Sequence, residues 1–349
     1  MKVALLLVSF VVCLNSALAQ SPLPASEWRF ETFGDYAYKV NGDSVSQELQ
    51  YSGQPRDFQA FQIRRALLGV TFPFSQDFAL GASVEHNDRI TLGGGQFGLF
   101  LKTAFLQWKN ILPKSTLQLG LMPTPTWLAN MSERVWGFRG VEKTISDMRN
   151  LGIATDLGIA LRGNAGENNE FGYMVMFANG SSIRPESDKY KKYYAMVNYR
   201  FVENLVVEAN ADYEDRSTIQ YKRTLKGILA WDSKPFTIGV EAVNQLDHCN
   251  CPPNLEKNRV GISTFARAPL AEDPALVAFA RFDMWDPDTR YPDLGFTENF
   301  ITAGLDFKPH TTIHLIPNIW VNTYGSKQDG VHAPDPQVVA RLTFWYIYN

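Results

Sequence analysis

Along most of this chain apolar and polar side chains alternate with a period of two. In "WRFETFGDYAYK" the residues Trp28, Phe30, Thr32, Gly34, Tyr36 and Tyr38 fall on one face, against Arg29, Glu31, Phe33, Asp35, Ala37 and Lys39 on the other. "TDLGIALRG", "NLVVEANADYED" and "ENFITAGLDFKP" repeat the pattern. Strict alternation is what a strand with one apolar and one polar face produces. It predicts sixteen strands, centred near residues 33, 66, 81, 105, 118, 159, 174, 196, 209, 226, 240, 263, 280, 303, 316 and 342, and leaves little room for helices.

The connections between these strands sort by length. Tight turns at 73–77, 110–115, 163–169, 201–204, 232–235, 271–274 and 308–311 alternate with mostly longer stretches at 40–57, 86–99, 123–154, 180–190, 247–258, 286–297 and 323–336. Only the connection near 215–218 breaks the rule. Short turns at one end and long loops at the other define an all-β, transmembrane antiparallel barrel, whereas a sandwich has no reason to sort loop length by strand parity. The last segment, "VVARLTFWYIYN", sets Leu342, Phe344, Tyr346 and Tyr348 on one face. Such a face needs lipid as its solvent. Every backbone group in hydrocarbon must be paired, so strand sixteen is expected to close on strand one.

Aromatic residues gather beside the short turns: Phe72, Phe74 and Phe78 at the first, Trp108 at the second, then Tyr199 and Phe201, Trp231 and Phe236, and Phe307. Rings at that level suit a membrane–water interface. The N-terminus pairs Lys2 with an apolar run, Val3 to Leu14, and an A-x-A arrangement at Ala17 and Ala19. This reads as a secretory signal peptide, residues 1–19, ahead of a barrel domain at 20–349 in the cell outer membrane. The apolar run is shorter than the roughly 20 residues of a spanning helix. A formal charge of −3 carries no basic surface for nucleic acid. After processing, Cys249 and Cys251 remain in "DHCNCPPN", as a pair of loop thiols or one constrained bridge. With His248 they make an incomplete zinc site, so neither metal nor cofactor is expected.

Sixteen strands enclose an aqueous lumen, and the inward faces read as polar or small, with Gly158, Gly172, Gly239 and Gly304 beside charged residues. The longest connection, 123–155, is the third on the long-loop side, and a loop of that length is expected to fold inward and narrow the pore. It carries Arg134, Arg139, Lys143 and Arg149 against Glu133, Glu142 and Asp147, a net charge of about +1. Basic groups favour anions through the local field, so a weak anion preference is expected. Parity sends Arg64, Arg162, Lys222, Lys226, Arg267, Arg281 and Arg341 to the lumen wall, with Glu85, Glu208, Asp212, Glu241, Asp283 and Asp306. Arg281 and Asp283 share a face and are placed to pair along one strand. Two other classes compete: a barrel enzyme and a non-conducting structural barrel. Among the histidines, His86 has Glu85 and Asp88 nearby but no serine in a recognisable arrangement, so no enzyme activity is expected.

The segments "FQIRRALLGVTFPFSQDFALGASVE", "LKTAFLQWKN", "LQLGLMPTP", "TDLGIALRG" and "FARFDMWDPD", in that order, resemble the phosphate-selective porin O and P family. The resemblance covers most of the mature chain. It implies a sixteen-stranded outer-membrane porin, embedded in outer-membrane lipids, commonly a homotrimer, inserted by the barrel-assembly machinery. It further implies a constriction at Arg134, Arg139, Lys143 and Arg149 that guides small anions and polar solutes, with Arg162, Arg281 and Arg341 on the wall. The chain departs from the phosphate-specific members: Lys143 is the one lysine of the long loop, where those members resemble a lysine cluster. It also ends on Asn349 after Tyr348 rather than on an aromatic residue.

Overall fold

The computed structural model describes residues 24–42, 49–88, 92, 95–126, 131–233, 236–249, 256–272, 275–291 and 295–348. The signal segment 1–19, Cys13 and Cys251 lie outside the described residues.

Sixteen strands form one closed antiparallel barrel in chain order. They are β1 (Glu27–Asn41), β2 (Gln59–Pro73), β3 (Phe78–Asn87), β4 (Phe100–Lys109), β5 (Ser115–Pro123) and β6 (Thr155–Ala165). Then follow β7 (Phe171–Ala178), β8 (Lys192–Val202), β9 (Leu205–Asp215), β10 (Tyr221–Asp232) and β11 (Thr237–His248). The last are β12 (Glu256–Glu272), β13 (Ala275–Asp286), β14 (Phe296–His310), β15 (Ile313–Ser326) and β16 (Gln337–Tyr348). Each centre read from the alternation falls inside its strand. Between β5 and β6 lie two short helices, α1 (Met131–Trp136) and α2 (Ile145–Met148).

β16 pairs with β1 from Phe30↔Tyr348 to Asn41↔Val338, so the aromatic end of the chain leaves no open edge. Leu342, Phe344 and Tyr348 point outward and are exposed, while Trp345, on the opposite parity, is buried inside. The outer surface is apolar on every side, a surface that hydrocarbon solvates and water does not. Phe72, Phe74, Trp108, Tyr199, Phe201, Trp231, Phe236 and Phe307 are all exposed at the short-turn end. Phe78 lies 5.4 Å from Trp108 and Tyr199 lies 4.7 Å from Phe201. A second ring runs round the long-loop end, where Tyr36 meets Phe61 at 4.8 Å and Phe177 meets Tyr193 at 5.2 Å. Two aromatic belts around an apolar band match the two interfaces of a bilayer.

The interior is only in part the expected polar or small lining. Beside buried polar residues such as Glu85, Glu208 and Asp306 lies a hydrophobic core, in which Phe33, Ile228, Phe265, Phe279, Ile316 and Trp345 pack around residues of the third loop. Gly239 and Gly304 do not open space for water. An added Cβ at Gly239 would sit 2.5 Å from the tip of Phe265, and one at Gly304 would sit 2.5 Å from Pro317 O, 2.7 Å from Asn318 Cβ and 2.9 Å from the tip of Phe279. These glycines make room for inward rings on neighbouring strands.

Candidate functional site: the lumen and its third loop

The third loop, in its described residues 124–126 and 131–154, turns into the barrel. Its neck is pinned where Thr124 N donates to Ala154 O at 3.0 Å and Thr124 Oγ1 donates to Ile153 O at 2.5 Å. Val135, Trp136, Phe138 and Val141 are fully or nearly fully buried in the apolar core. Trp136 lies 5.6 Å from Phe265, and Phe138 stacks on Phe279 at 4.2 Å. Truncating a ring buried this deeply costs about 3–5 kcal/mol, so the loop is a folded part of the interior, not a mobile strap.

Polar groups of the wall complete the seat. Glu208 accepts from Met131 N at 2.9 Å, Lys226 donates to Ser132 Oγ at 2.9 Å, and Ser146 Oγ donates to Glu241 at 2.8 Å. The loop thereby covers inward faces from β9 round to β2. Beside the loop runs a cavity of about 1070 Å³, lined from Arg65, Glu85 and Lys102 to Lys192 and Lys222.

The four loop cations differ in surroundings. Arg134 is exposed, Lys143 lines the cavity, and neither side chain has an ion-pair partner among the described residues. Arg139 also lines the cavity but is held by two carboxylates, Glu133 at 2.8 Å and Asp147 at 2.7 Å. Burial pulls the Arg139 guanidinium down, yet Glu133 and Asp147 more than offset this and raise it above its ordinary value. Burial likewise pushes Asp147 up, while Arg139 and then Lys143 hold it down to about 2. Arg149 faces away from the cavity: its side chain is 2% exposed, pairs with Glu298 at 2.8 Å and lies 5.4 Å from the Trp285 ring.

On the wall, Arg162 is exposed to the lumen, with no ion-pair partner among the described residues. The others are engaged. Arg64 meets Asp35 at 2.7 Å, Lys222 meets Asp247 at 3.8 Å, and Lys226 meets Glu241 at 3.7 Å. Arg267 meets Asp232 at 3.2 Å, and Arg281 grips Asp283 along its own strand at 2.8 Å. Arg341 is buried, donating to Asn318 at 2.8 Å with its guanidinium 5.7 Å from the Tyr51 ring.

Two cavity cations escape the parity argument. Arg65 bridges Glu31 at 3.3 Å and Glu85 at 2.9 Å, and Lys102 reaches Glu85 at 3.3 Å. Parity sends both towards lipid. A bulge puts Arg64 between the pairs Phe33↔Arg65 and Gly34↔Ile63, and another puts Lys102 between Ser83↔Thr103 and Val84↔Leu101. An extra residue turns two neighbours to one side. The one signal in the sequence was a charge on a face otherwise apolar.

Among the described residues the histidines have these surroundings. His86 bonds through Nδ1 to Gly98 O at 2.9 Å, while its neighbour Glu85 serves Arg65 and Lys102. His314 does meet a carboxylate, Asp306, at 3.0 Å, but its ring is packed 5.0 Å from Trp345. Cys249 is disulfide-bonded.

The closed sixteen-strand antiparallel barrel is similar in fold to outer-membrane channels and porins. Among solved structures it is similar to the outer-membrane channel DcaP of Acinetobacter baumannii (TM-score 0.67, 13% identity, covering 93% of this chain and 97% of that one). It is similar to the outer-membrane-expressed OmpT of Vibrio cholerae (TM-score 0.63, 13% identity, 95% and 100%), a protein also solved in a trimer form. A third is an anion-selective porin from Comamonas acidovorans (TM-score 0.63, 10% identity, 93% and 99%). At such identities the likeness establishes the fold alone. No protein-family model and no curated protein matches the chain.

Proposed function

We propose that this protein is an outer-membrane porin: a passive, non-catalytic diffusion channel for small polar solutes and ions, with a weak preference for anions. The observation that carries this reading is the charge of the lumen. Among the described residues, nine lysines and arginines and five carboxylates line the cavity. A cationic excess inside low-dielectric walls raises the local concentration of anions. Most of those cations have carboxylate partners, so the bias is modest. Of the cavity cations, Lys143 and Arg184 have no ion-pair partner among the described residues, and Arg134 and Arg162 are exposed outside that lining and also unpaired among them. Arg139 contributes through a shared network, and Arg149 contributes to packing.

A general anion preference fits better than phosphate specificity, because Lys143 is the one lysine of the long loop. The aromatic belts and the signal-like N-terminus support an outer-membrane location reached with the barrel-assembly machinery. The trimer form of a structural neighbour supports a homotrimer. Single-channel recording of the detergent-purified protein in a planar bilayer, under a potassium chloride gradient, tests the reading. Stable steps with an anion-biased reversal potential are expected, and millimolar phosphate should not block them. A folded barrel that conducts nothing would overturn it in favour of a structural or enzymatic barrel.

A further inference from the structure

Four consecutive backbone carbonyls in the third loop, those of Gly140, Val141, Glu142 and Lys143, all point at side-chain donors. Arg64 supplies two: its guanidinium donates to Gly140 O and to Val141 O, the latter at 3.2 Å. Trp136 Nε1 donates to Glu142 O at 2.8 Å, and Arg281 donates to Lys143 O. This stretch is neither helix nor strand, and buried carbonyls in such a stretch need partners from elsewhere. The two arginines stand on different sides of the barrel, on β2 and β13. Each is locked before it reaches the loop. Arg64 is held by Asp35 at 2.7 Å and lies 5.3 Å from the Phe33 ring. Arg281 is held by Asp283 at 2.8 Å, with Trp136 at 5.4 Å and Phe300 at 5.6 Å from its guanidinium.

We infer that Arg64 and Arg281 are positioning residues, a two-sided clamp on segment 140–143, rather than anion guides. Their charges are spent on buried aspartates. Their remaining donors fix the backbone that carries Lys143 and adjoins Arg139, and so set both the width of the channel and the aim of its free cations. A guanidinium does this because it is a planar fork that can serve a carboxylate and a carbonyl together. An ammonium is a single point of charge and cannot span both.

The inference rests on the channel reading for its effect on current, but the clamp can be tested without current. The variants are Arg64→Lys and Arg281→Lys, which keep the charge, and Arg64→Met and Arg281→Met, which remove it. The first readout is trypsin cleavage of the detergent-folded barrel after Arg139 or Lys143. The second is step size, open-channel noise and reversal potential in a bilayer. A clamp predicts that the lysine variants fail nearly as badly as the methionine ones. Loop cleavage should rise about tenfold or more and current should become noisy, as a locally opened segment is cut in proportion to its open population. The reversal potential of the lysine variants should stay near wild type. The inference is overturned if both lysine variants keep wild-type protection and quiet steps while the methionine variants shift only the reversal potential. Should a methionine variant fail to fold, the lysine variants decide alone. Should the wild type conduct nothing, the cleavage assay still decides the clamp, and the channel reading fails separately.

Discussion

Asp147 and Arg139 meet at 2.7 Å on the face of the third loop that borders the cavity, and Glu133 holds the other arm of the guanidinium at 2.8 Å. The pair makes the loop sensitive to acid. Burial raises Asp147, but Arg139 and Lys143 bring it to about 2, below the ordinary 3.8. The folded carboxylate therefore binds a proton less readily than the unfolded one. Its contribution, on the order of 2 kcal/mol, is fully present above about pH 4 and is lost as the pH falls through about 2. Protection of the loop from an acid-active protease should hold at pH 5 and decline between pH 4 and 2. Asp147→Asn should flatten that decline and lower protection at neutral pH. An unchanged profile in the variant would show that the pair does not hold the loop.

Charge and packing separate among the loop cations. Arg134→Gln and Lys143→Gln remove charges that have no ion-pair partner among the described residues, so each should move the reversal potential towards cations and leave loop protection intact. Arg149→Gln should do the reverse. It leaves the half-buried Glu298 with Asn322 but without its ion-pair partner, a loss of about 3 kcal/mol, which thermal melting in detergent would read as a lower Tm with an unmoved reversal potential. A reversal shift in Arg149→Gln as large as in Lys143→Gln would place Arg149 in the conduction path after all.

The sixteen strands, their ends and the closing of β16 on β1 were legible because one face of each strand meets lipid. Period-two alternation then reports burial directly, strand by strand. The interior was less legible. Parity assumes an unbroken pleat, and the bulges at Arg64 and Lys102 break it, so Arg65 and Lys102 were left out of the lumen set. The apolar seat of the loop was missed for another reason. Phe265 opposite Gly239 is a contact between neighbouring strands, and Trp136 against both β12 and β13 is a contact across more than a hundred residues. No local pattern encodes either. The candidate cations were readable as inward or loop residues, but which of them are free depended on carboxylates that only the fold brings near.

Lys102 offers a direct check on the bulge. If the extra residue aims it at Glu85, 3.3 Å away, Lys102→Gln should shift the reversal potential towards cations. Were Lys102 on the lipid side, where parity puts it, the same change would leave the current unaltered and, by removing a charge from hydrocarbon, would stabilise the barrel by about 2–4 kcal/mol. Current and Tm together distinguish the two placements.

Gly140 tests how closely the loop is seated. A Cβ built there would lie 2.7 Å from Trp345 Cδ2, 2.8 Å from Cε3 and 3.0 Å from Cγ, against the flat of the indole. Trp345 cannot yield, since Phe33 meets it edge-on at 6.3 Å and His314 lies 5.0 Å away on the same wall. Gly140→Ala must therefore lift the loop, straining the bond from Arg64 to Gly140 O, at about 1–3 kcal/mol. Gly227→Ala is the control, because the nearest atom to its Cβ is 3.8 Å away, and it should change Tm little. Trp345→Phe removes part of the obstructing ring. The double variant Gly140→Ala, Trp345→Phe should then be more stable than the two single losses add up to. Strict additivity in that cycle would mean that the loop does not rest on Trp345, and the seat would have to be sought in the Phe138–Phe279 stack instead.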